Sequence, residues 1–254
     1  MVIYLRSFSM IKIINLHKSF GNFKVLKGIN LEVKTGESIT IMGRSGTGKS
    51  VLVKHIVGIL KPDEGEVWVD DIRVDKANSK SLMKLRRNFG YVFQMGALFD
   101  FYNVYQNLAF VLIENGIRNN DYIRNRVVEV LKMVDLDERV LKLYPSELSG
   151  GMRKRVSIAR AIIHNPKYII YDEPTTGLDP ITSDLINDLI IKLNSELKTT
   201  TISITHDLRS AIKISNRIIL LKDGYKIFDG DIHSALNSDN EEMKKFRDYY
   251  GAYI

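Results

Sequence analysis

Ser38-Ile39-Thr40-Ile41-Met42-Gly43-Arg44-Ser45-Gly46-Thr47-Gly48-Lys49-Ser50 is the stretch whose reading decides the fold. Its last eight residues fit the pattern G-x-x-x-x-G-K-[ST], and its first five form an apolar, β-branched run. After Ser50 the apolar residues Val51, Leu52, Ile56, Val57 and Leu60 recur at helical spacing, so a helix is expected over 51–60. A strand that ends in glycines and turns into a helix lets backbone N–H groups converge on phosphate oxygens, and the helix dipole adds positive potential there. The chain is therefore expected to bind a nucleoside triphosphate. Gly43, Arg44, Ser45, Gly46, Thr47 and Gly48 would form the cradle, Lys49 would reach the β- and γ-phosphates, and the Ser50 hydroxyl would ligate Mg²⁺.

Bulk properties suit one large α/β domain, or a domain plus a subdomain. At 254 residues the chain can bury a large core. It has no cysteine, which excludes disulfides and thiolate metal sites. Lys and Arg number 37 against 30 Asp and Glu, a net +7 spread along the chain. That scatter argues against a dedicated nucleic-acid surface, so no nucleic-acid partner is expected. No apolar run approaches the roughly 20 residues needed to span a bilayer, so any membrane role is expected to be peripheral. Residues 1–9 carry one charge and no small-residue cleavage pattern, a poor signal peptide, and an alternative start at Met10 is the expectation.

The rest of the pattern extends outward from the loop. Residues 11–33 read as short antiparallel strands with turns at Gly21-Asn22 and Gly28, flanking the loop's strand. Strands are expected over 66–70 and 90–93, with a polar helix over 80–87 between them. Helical periodicity dominates residues 95–163, which read as a helical insertion. Strand 168–171, helix 181–197 and strand 200–204 restore the rhythm of a parallel sheet. A hairpin through Asp223-Gly224 and a terminal helix near 239–250 complete the chain.

Phosphoryl transfer needs a carboxylate for the metal and a base for the attacking water. Tyr168-Ile169-Ile170-Tyr171-Asp172-Glu173 places two acids at the end of a buried strand, where open α/β sheets hold their ligands. Asp179 before Pro180 reads as a helix N-cap, and Ser149 reads as another. Arg153, Lys154, Arg155 and Arg160 read as the charged face of the helix after Ser149. The apolar residues of Met95-Gly96-Ala97-Leu98-Phe99-Asp100-Phe101-Tyr102 read equally as core or as an attachment surface.

Leu148-Ser149-Gly150-Gly151-Met152 before a basic helix, then Asp172-Glu173-Pro174-Thr175-Thr176-Gly177-Leu178-Asp179 and Thr205-His206-Asp207, resembles the nucleotide-binding subunits of ABC transporters. The likeness covers essentially the whole chain. It implies a P-loop NTPase core of RecA-like parallel sheet with an N-terminal antiparallel β subdomain and an inserted α-helical subdomain, all one nucleotide-binding domain over 10–254. It implies ATP and Mg²⁺ as cofactors, with Asp172 and Gln94 joining Ser50 at the metal and Glu173 as general base. His206 would be the switch beside the γ-phosphate, and Asp179 would lie across the dimer seam. Ser149, Gly150 and Gly151 would close on the γ-phosphate held by a second copy. Phe20 matches the aromatic that stacks on adenine, although a strand aromatic reads almost as readily as core.

The resemblance further implies a head-to-tail homodimer, separate integral membrane permease subunits, and a peripheral position on the cytoplasmic face of the membrane. Residues 94–100 and 149–155, with Met152 where many family members carry Gln, resemble the Mla and Mce type lipid-transport ATPases. Phospholipid transport, with a lipid-binding substrate protein as a further partner, is the expected cargo class. An importer ATPase for another small substrate, such as an amino acid, is the alternative, and a soluble ABC protein outside transport ranks last.

Overall fold

The computed structural model describes residues 9–250. The expected start at Met10 turns on the first residues, which fall outside that range. Two sheets carry the chain. Strands β1 (Ser9–Phe20), β2 (Phe23–Lys34), β3 (Ser38–Met42), β4 (Glu64–Val69), β5 (Ile72–Arg73), β6 (Phe89–Val92), β7 (Tyr168–Asp172), β8 (Thr200–Thr205), β9 (Arg217–Lys222) and β10 (Tyr225–Asp231) occur in that order. β2-β1-β4-β5 form an antiparallel sheet, and β10-β9-β3-β8-β7-β6 form a second. In the second sheet β9, β3, β8, β7 and β6 run parallel, and β10 closes the edge as an antiparallel hairpin with β9. All residues of β8 are buried, as expected of a strand covered on both faces.

The N-terminal strands do not flank the strand before the phosphate loop in its sheet, as the residue pattern suggests; they form a sheet of their own, the antiparallel β subdomain that the family resemblance implies. They are also long. β1 and β2 run 12 residues each and are joined at Gly21-Asn22. Gly28 is not a turn but an extra residue in β2, since Leu16 pairs with Ile29 and His17 with Lys27. Its φ of 76° supplies the bulge. Asn15, at φ 46°, makes a second bulge in β1.

Nine α-helices occur among the described residues: α1 (Lys49–Ile56), α2 (Ser79–Arg86), α3 (Val104–Glu114), α4 (Asn120–Met133), α5 (Gly150–Ile162), α6 (Pro180–Leu197), α7 (Leu208–Ile214), α8 (Ile232–Leu236) and α9 (Glu241–Tyr250). α1 stops at Ile56 rather than continuing to residue 60, because Gly58 sits at φ 68° against the Leu82 side chain. α3, α4 and α5 lie between β6 and β7 and share a core of Leu108, Leu112, Val127, Leu131 and Ile158 with the face of β7. Fully buried Asn107 fixes the loop ahead of it, accepting from Phe99 N–H and donating to the carbonyls of Phe99, Tyr102 and Asn103. A second core joins the antiparallel sheet to α1 and the parallel strands through Leu16, Leu26, Ile41, Leu52, Val53 and Ile170. Short helices α7 and α8 carry too few periodic positions to stand out in the sequence, and they were not anticipated.

Candidate active site

Four adjacent parallel strands deliver the key residues to one edge of the sheet. β3 runs into the glycine loop, β8 into His206, β7 into Glu173 and β6 into Gln94. Their ends are in register: Met42 pairs with Thr205, Ile204 with Asp172, and Tyr171 with Val92. Strand spacing of about 4.8 Å keeps all four ends within roughly 15 Å. The result is a cavity of about 850 Å³ whose lining includes Phe20, Lys49, Ser50, Gln94, Asp172, Glu173 and His206. That is ample for a nucleotide.

The loop is held by its glycines. A Cβ on Gly43 would lie 2.5 Å from the Leu221 carbonyl oxygen, and one on Gly48 would lie 2.8 Å from Leu26 Cδ2. Gly46, at φ 81°, faces open space, so a ligand can approach its backbone. α1 begins at left-handed Gly48 with no side-chain cap, whereas α2 to α8 each start on an Asn, Ser or Asp that accepts a backbone N–H. The first-turn N–H groups of α1 are thus left for a ligand. Lys49 is 8% exposed and donates to the carbonyls of Gly43 (2.7 Å) and Arg44 (3.0 Å). Burial lowers its pKa, and the carboxylates of Glu173 and Asp172 oppose that shift.

At the facing wall the Tyr91 hydroxyl donates to Asp172 Oδ2 at 3.0 Å. Burial raises the Asp172 pKa, with the Tyr91 bond pulling the other way. A desolvated carboxyl of this kind gains from a cation beside it. Ser50, Gln94 and Asp172 line the same cavity and offer oxygen ligands, a donor set that suits a hard cation such as Mg²⁺. No cluster of three or more His, Cys, Asp or Glu side chains able to hold a metal occurs among the described residues.

Glu173 is a non-glycine residue at φ 49°, pinned by its N–H to Ile204 O at 2.9 Å. Such a left-handed placement is uncommon and costs free energy unless the surroundings enforce it. It turns the carboxylate toward His206, whose Nδ1 lies 3.0 Å from Oε2, while Thr176 donates its hydroxyl to the same oxygen at 3.0 Å. Phe20 is 50% exposed at the cavity rim, with Lys18 Nζ 5.6 Å from its ring centre, so the core reading of this aromatic fails.

Ser149, Gly150, Gly151 and Asp179 do not line this cavity. Ser149 caps α5 by accepting from Met152 N–H, and Asp179 caps α6 by accepting from Thr182 N–H. The two caps are neighbours, since a Cβ on Gly151 would meet Thr182 Cγ2 at 2.9 Å. One chain thus presents two separate surfaces: the cavity, and an exposed helix N-terminus with Asp179 beside it.

Two readings of the basic helix and the loop beside it change. Lys154 is buried at 6% exposure, and the side chains of Lys154, Ser157 and Arg160 donate to carbonyls of the loop after β6, so these residues are not a solvated charged face. Of the apolar residues after Gln94, Met95 is 81% and Phe101 71% exposed, which favours a surface over a core role. Sequence reasoning also missed Lys245, Phe246 and Tyr249 of α9, which line the cavity. The spacing of Met243 and Phe246, one turn apart on an amphipathic segment, was the available signal.

Comparison with known proteins agrees with this geometry. The ABC transporter family pattern matches residues 26–176. The chain is 36% identical over 238 residues to the probable ribonucleotide transport ATP-binding protein mkl of Mycobacterium leprae, covering 93% of this chain and 68% of that protein. It is 41% identical over 224 residues to the methionine import ATP-binding protein MetN of Carboxydothermus hydrogenoformans, covering 88% and 66%. The chain thus spans about two thirds of the length of these relatives. Among solved structures, the ATP-binding cassette MJ0796, dimeric in a post-hydrolysis state with ADP and Pi, superposes with a TM-score of 0.80 at 39% identity, over 88% of this chain and 99% of that one. CbiO1 from Clostridium perfringens, described as part of the ABC transporter complex cbiONQ, gives 0.82 at 34% identity, over 96% of each chain. With its two-sheet cassette fold, its phosphate loop and this breadth of similarity, the chain belongs to the ABC transporter family as an ATP-binding, ATP-hydrolysing cassette.

Proposed function

We propose that this chain is a single nucleotide-binding domain that hydrolyses ATP as a head-to-tail homodimer and drives a separate membrane permease importing a small substrate. The observation that carries the reading is the split of the site: Lys49, Asp172, Glu173, Gln94 and His206 converge on one cavity while Ser149, Gly150 and Gly151 face outward elsewhere. Each surface is half of a site, and a second copy completes both. That the MJ0796 cassette is dimeric supports this arrangement.

In this reading the loop N–H groups, Lys49 and the Ser149 helix of the partner copy clamp the triphosphate from opposite sides, and Phe20 stacks on the base. Mg²⁺ held by Ser50, Asp172 and Gln94 would neutralise phosphate charge. Glu173 takes the proton of the attacking water, and His206 orients Glu173 through the 3.0 Å contact. Contacts that exist only in the closed dimer make closure depend on ATP, and hydrolysis removes them. The exposed Met95 and Phe101 are the surface through which closure reaches the permease. Among the described residues no helix is long and apolar enough to cross a membrane, and in this reading the chain is a peripheral subunit that docks on the cytoplasmic side of its permease.

The cargo reading shifts with the comparisons. Relatives named for methionine import and ribonucleotide transport support the importer alternative, and the phospholipid reading, with its lipid-binding substrate protein, draws no support from them. We therefore place a small polar substrate first. The test is to isolate the chain with its integral membrane partner, reconstitute the complex in proteoliposomes, and measure ATP-dependent uptake of amino acids and nucleosides against phospholipid exchange. Uptake of a small polar solute supports the proposal; phospholipid exchange without solute uptake, or a chain that never co-isolates with a membrane protein, overturns it.

A further inference from the structure

α5 does more than present Ser149, Gly150 and Gly151. One face of this helix is fastened to the loop that follows β6. Lys154 Nζ donates to Gln94 O at 2.5 Å, Ser157 Oγ to Gly96 O at 3.1 Å, and Arg160 to the carbonyls of Gly96 (2.9 Å) and Ala97 (2.8 Å). These donors stand at i, i+3 and i+6, a single stripe along the helix. The loop is shaped to receive them, since Gly96 and Ala97 both hold positive φ, 78° and 48°.

Lys154 is the member nearest the cavity, and it reaches a second target. Its Nζ also donates to the Glu173 carbonyl at 3.2 Å, and its ammonium is desolvated beside the Asp172 and Glu173 carboxylates. One buried cation therefore holds the backbone of both Gln94 and Glu173. It lies about one helical turn from Gly150 and Gly151 on α5. A rigid helix cannot move its N-terminus without carrying this ammonium with it.

We propose that Lys154 is a positioning residue that couples the two composite sites, setting Glu173 and Gln94 of its own site according to whether α5 has engaged the nucleotide bound by the partner copy. The proposal rests on the roles assigned above to Glu173, Gln94 and Ser149 to Gly151. When the N-terminus of α5 closes on the partner's γ-phosphate, Lys154 carries that displacement into the backbone of the base and of the metal-side glutamine. Hydrolysis in one site then responds to occupancy of the other.

The test compares steady-state ATP hydrolysis by the full chain and by Lys154→Met, Lys154→Arg and Arg155→Met. Arg155 lies on the same helix but bonds to Val134 O at 2.8 Å, away from the cavity. Lys154→Met should lower kcat by about 10- to 100-fold, the range for a catalytic group displaced by around 1 Å, with KM for ATP changed by less than about threefold. Its Hill coefficient for ATP should fall toward 1. Lys154→Arg, which keeps charge and donors, should restore most of kcat, and Arg155→Met should match the parent. In a Glu173→Gln background, Lys154→Met should cause a smaller further loss than in the parent, because only the hold on Gln94 is left to disturb. Should Lys154→Met fail to fold, judged by ATP binding, Lys154→Gln replaces it with the same expectations. Parental kcat, an unchanged Hill coefficient, or an undiminished loss in the Glu173→Gln background would each overturn the coupling while leaving the ATPase reading intact. Undiminished turnover in Glu173→Gln alone would instead remove the role of Glu173, and this proposal with it.

Discussion

Replacing Glu173 with Gln separates chemistry from binding with little change of shape. In the parent, both carboxylate oxygens lie within 3.1 Å of His206 Nδ1, and Oε2 accepts the Thr176 hydroxyl at 3.0 Å. Gln keeps the volume and one carbonyl oxygen for Thr176, and its amide can face the imidazole in the other tautomer. The folding cost is therefore about 1 kcal/mol, the net worth of one weakened hydrogen bond. A domain stable by about 5 kcal/mol or more remains over 99% folded after that loss, so lost turnover cannot come from unfolding. Removing a general base costs about 10² to 10⁴ in rate, or roughly 2.7 to 5.4 kcal/mol of barrier at 1.36 kcal/mol per tenfold. The assay is phosphate release at saturating ATP and Mg²⁺, run beside sedimentation velocity. The variant should lose turnover by that factor and accumulate as a dimer only when ATP is present. Turnover within threefold of the parent would refute the assignment of Glu173 as base.

Three further outcomes follow from other contacts. Lys49→Ala should weaken ATP binding by at least about tenfold, because it removes a charge-assisted phosphate contact; isothermal titration with unchanged affinity would count against that contact. Arg126→Met should lower stability by about 3 kcal/mol, since buried Arg126 satisfies the α5 carbonyls of Ile162 and Ile163 and pairs with Asn165 and Glu129, and their loss leaves buried acceptors bare; chemical denaturation measures it. Hydrogen bonds from Lys245 and Lys222 hold the Glu242 carboxyl down at about 2, against an ordinary 4.5. Because the folded pKa is depressed, this group's stabilisation is complete above about pH 4.5 and disappears as the pH falls toward 2. Glu242→Gln should accordingly lower the melting midpoint at pH 7 and converge on the parent near pH 2, as scanning calorimetry across that window would record.

Residues that announce themselves by local pattern were legible in the sequence, and those defined by distance were not. The apolar run before Gly43 and the apolar run before Asp172 could only be buried strands, so the acids and the loop had to emerge at strand ends. Asp179 before Pro180 predicted its cap for a local reason, and the structure shows that cap. Gly28 was misread as a turn because a glycine looks the same in a sequence whether it makes a turn or a bulge, and only the pairing register distinguishes them. Lys154 and Arg160 were misread because a run of Arg and Lys resembles a solvated face, whereas their targets are carbonyls some 60 residues away. The cargo was the least legible part, since residues 94–100 and 149–155 suggested lipid by resemblance alone and not by any chemistry that would recognise a transported molecule.

The central claim is that the nucleotide lies between the glycine loop of one copy and the Ser149 end of α5 of another. The chain has no cysteine of its own, so Ser45→Cys combined with Ser149→Cys in the Glu173→Gln background provides two equivalent thiol pairs across the seam, one at each composite site, and no other thiols. With ATP and Mg²⁺, a short bismaleimide should join these positions into a covalent dimer, and neither single-cysteine variant should form one. Dimers linked equally well without ATP, or no linkage with ATP bound, would contradict the account.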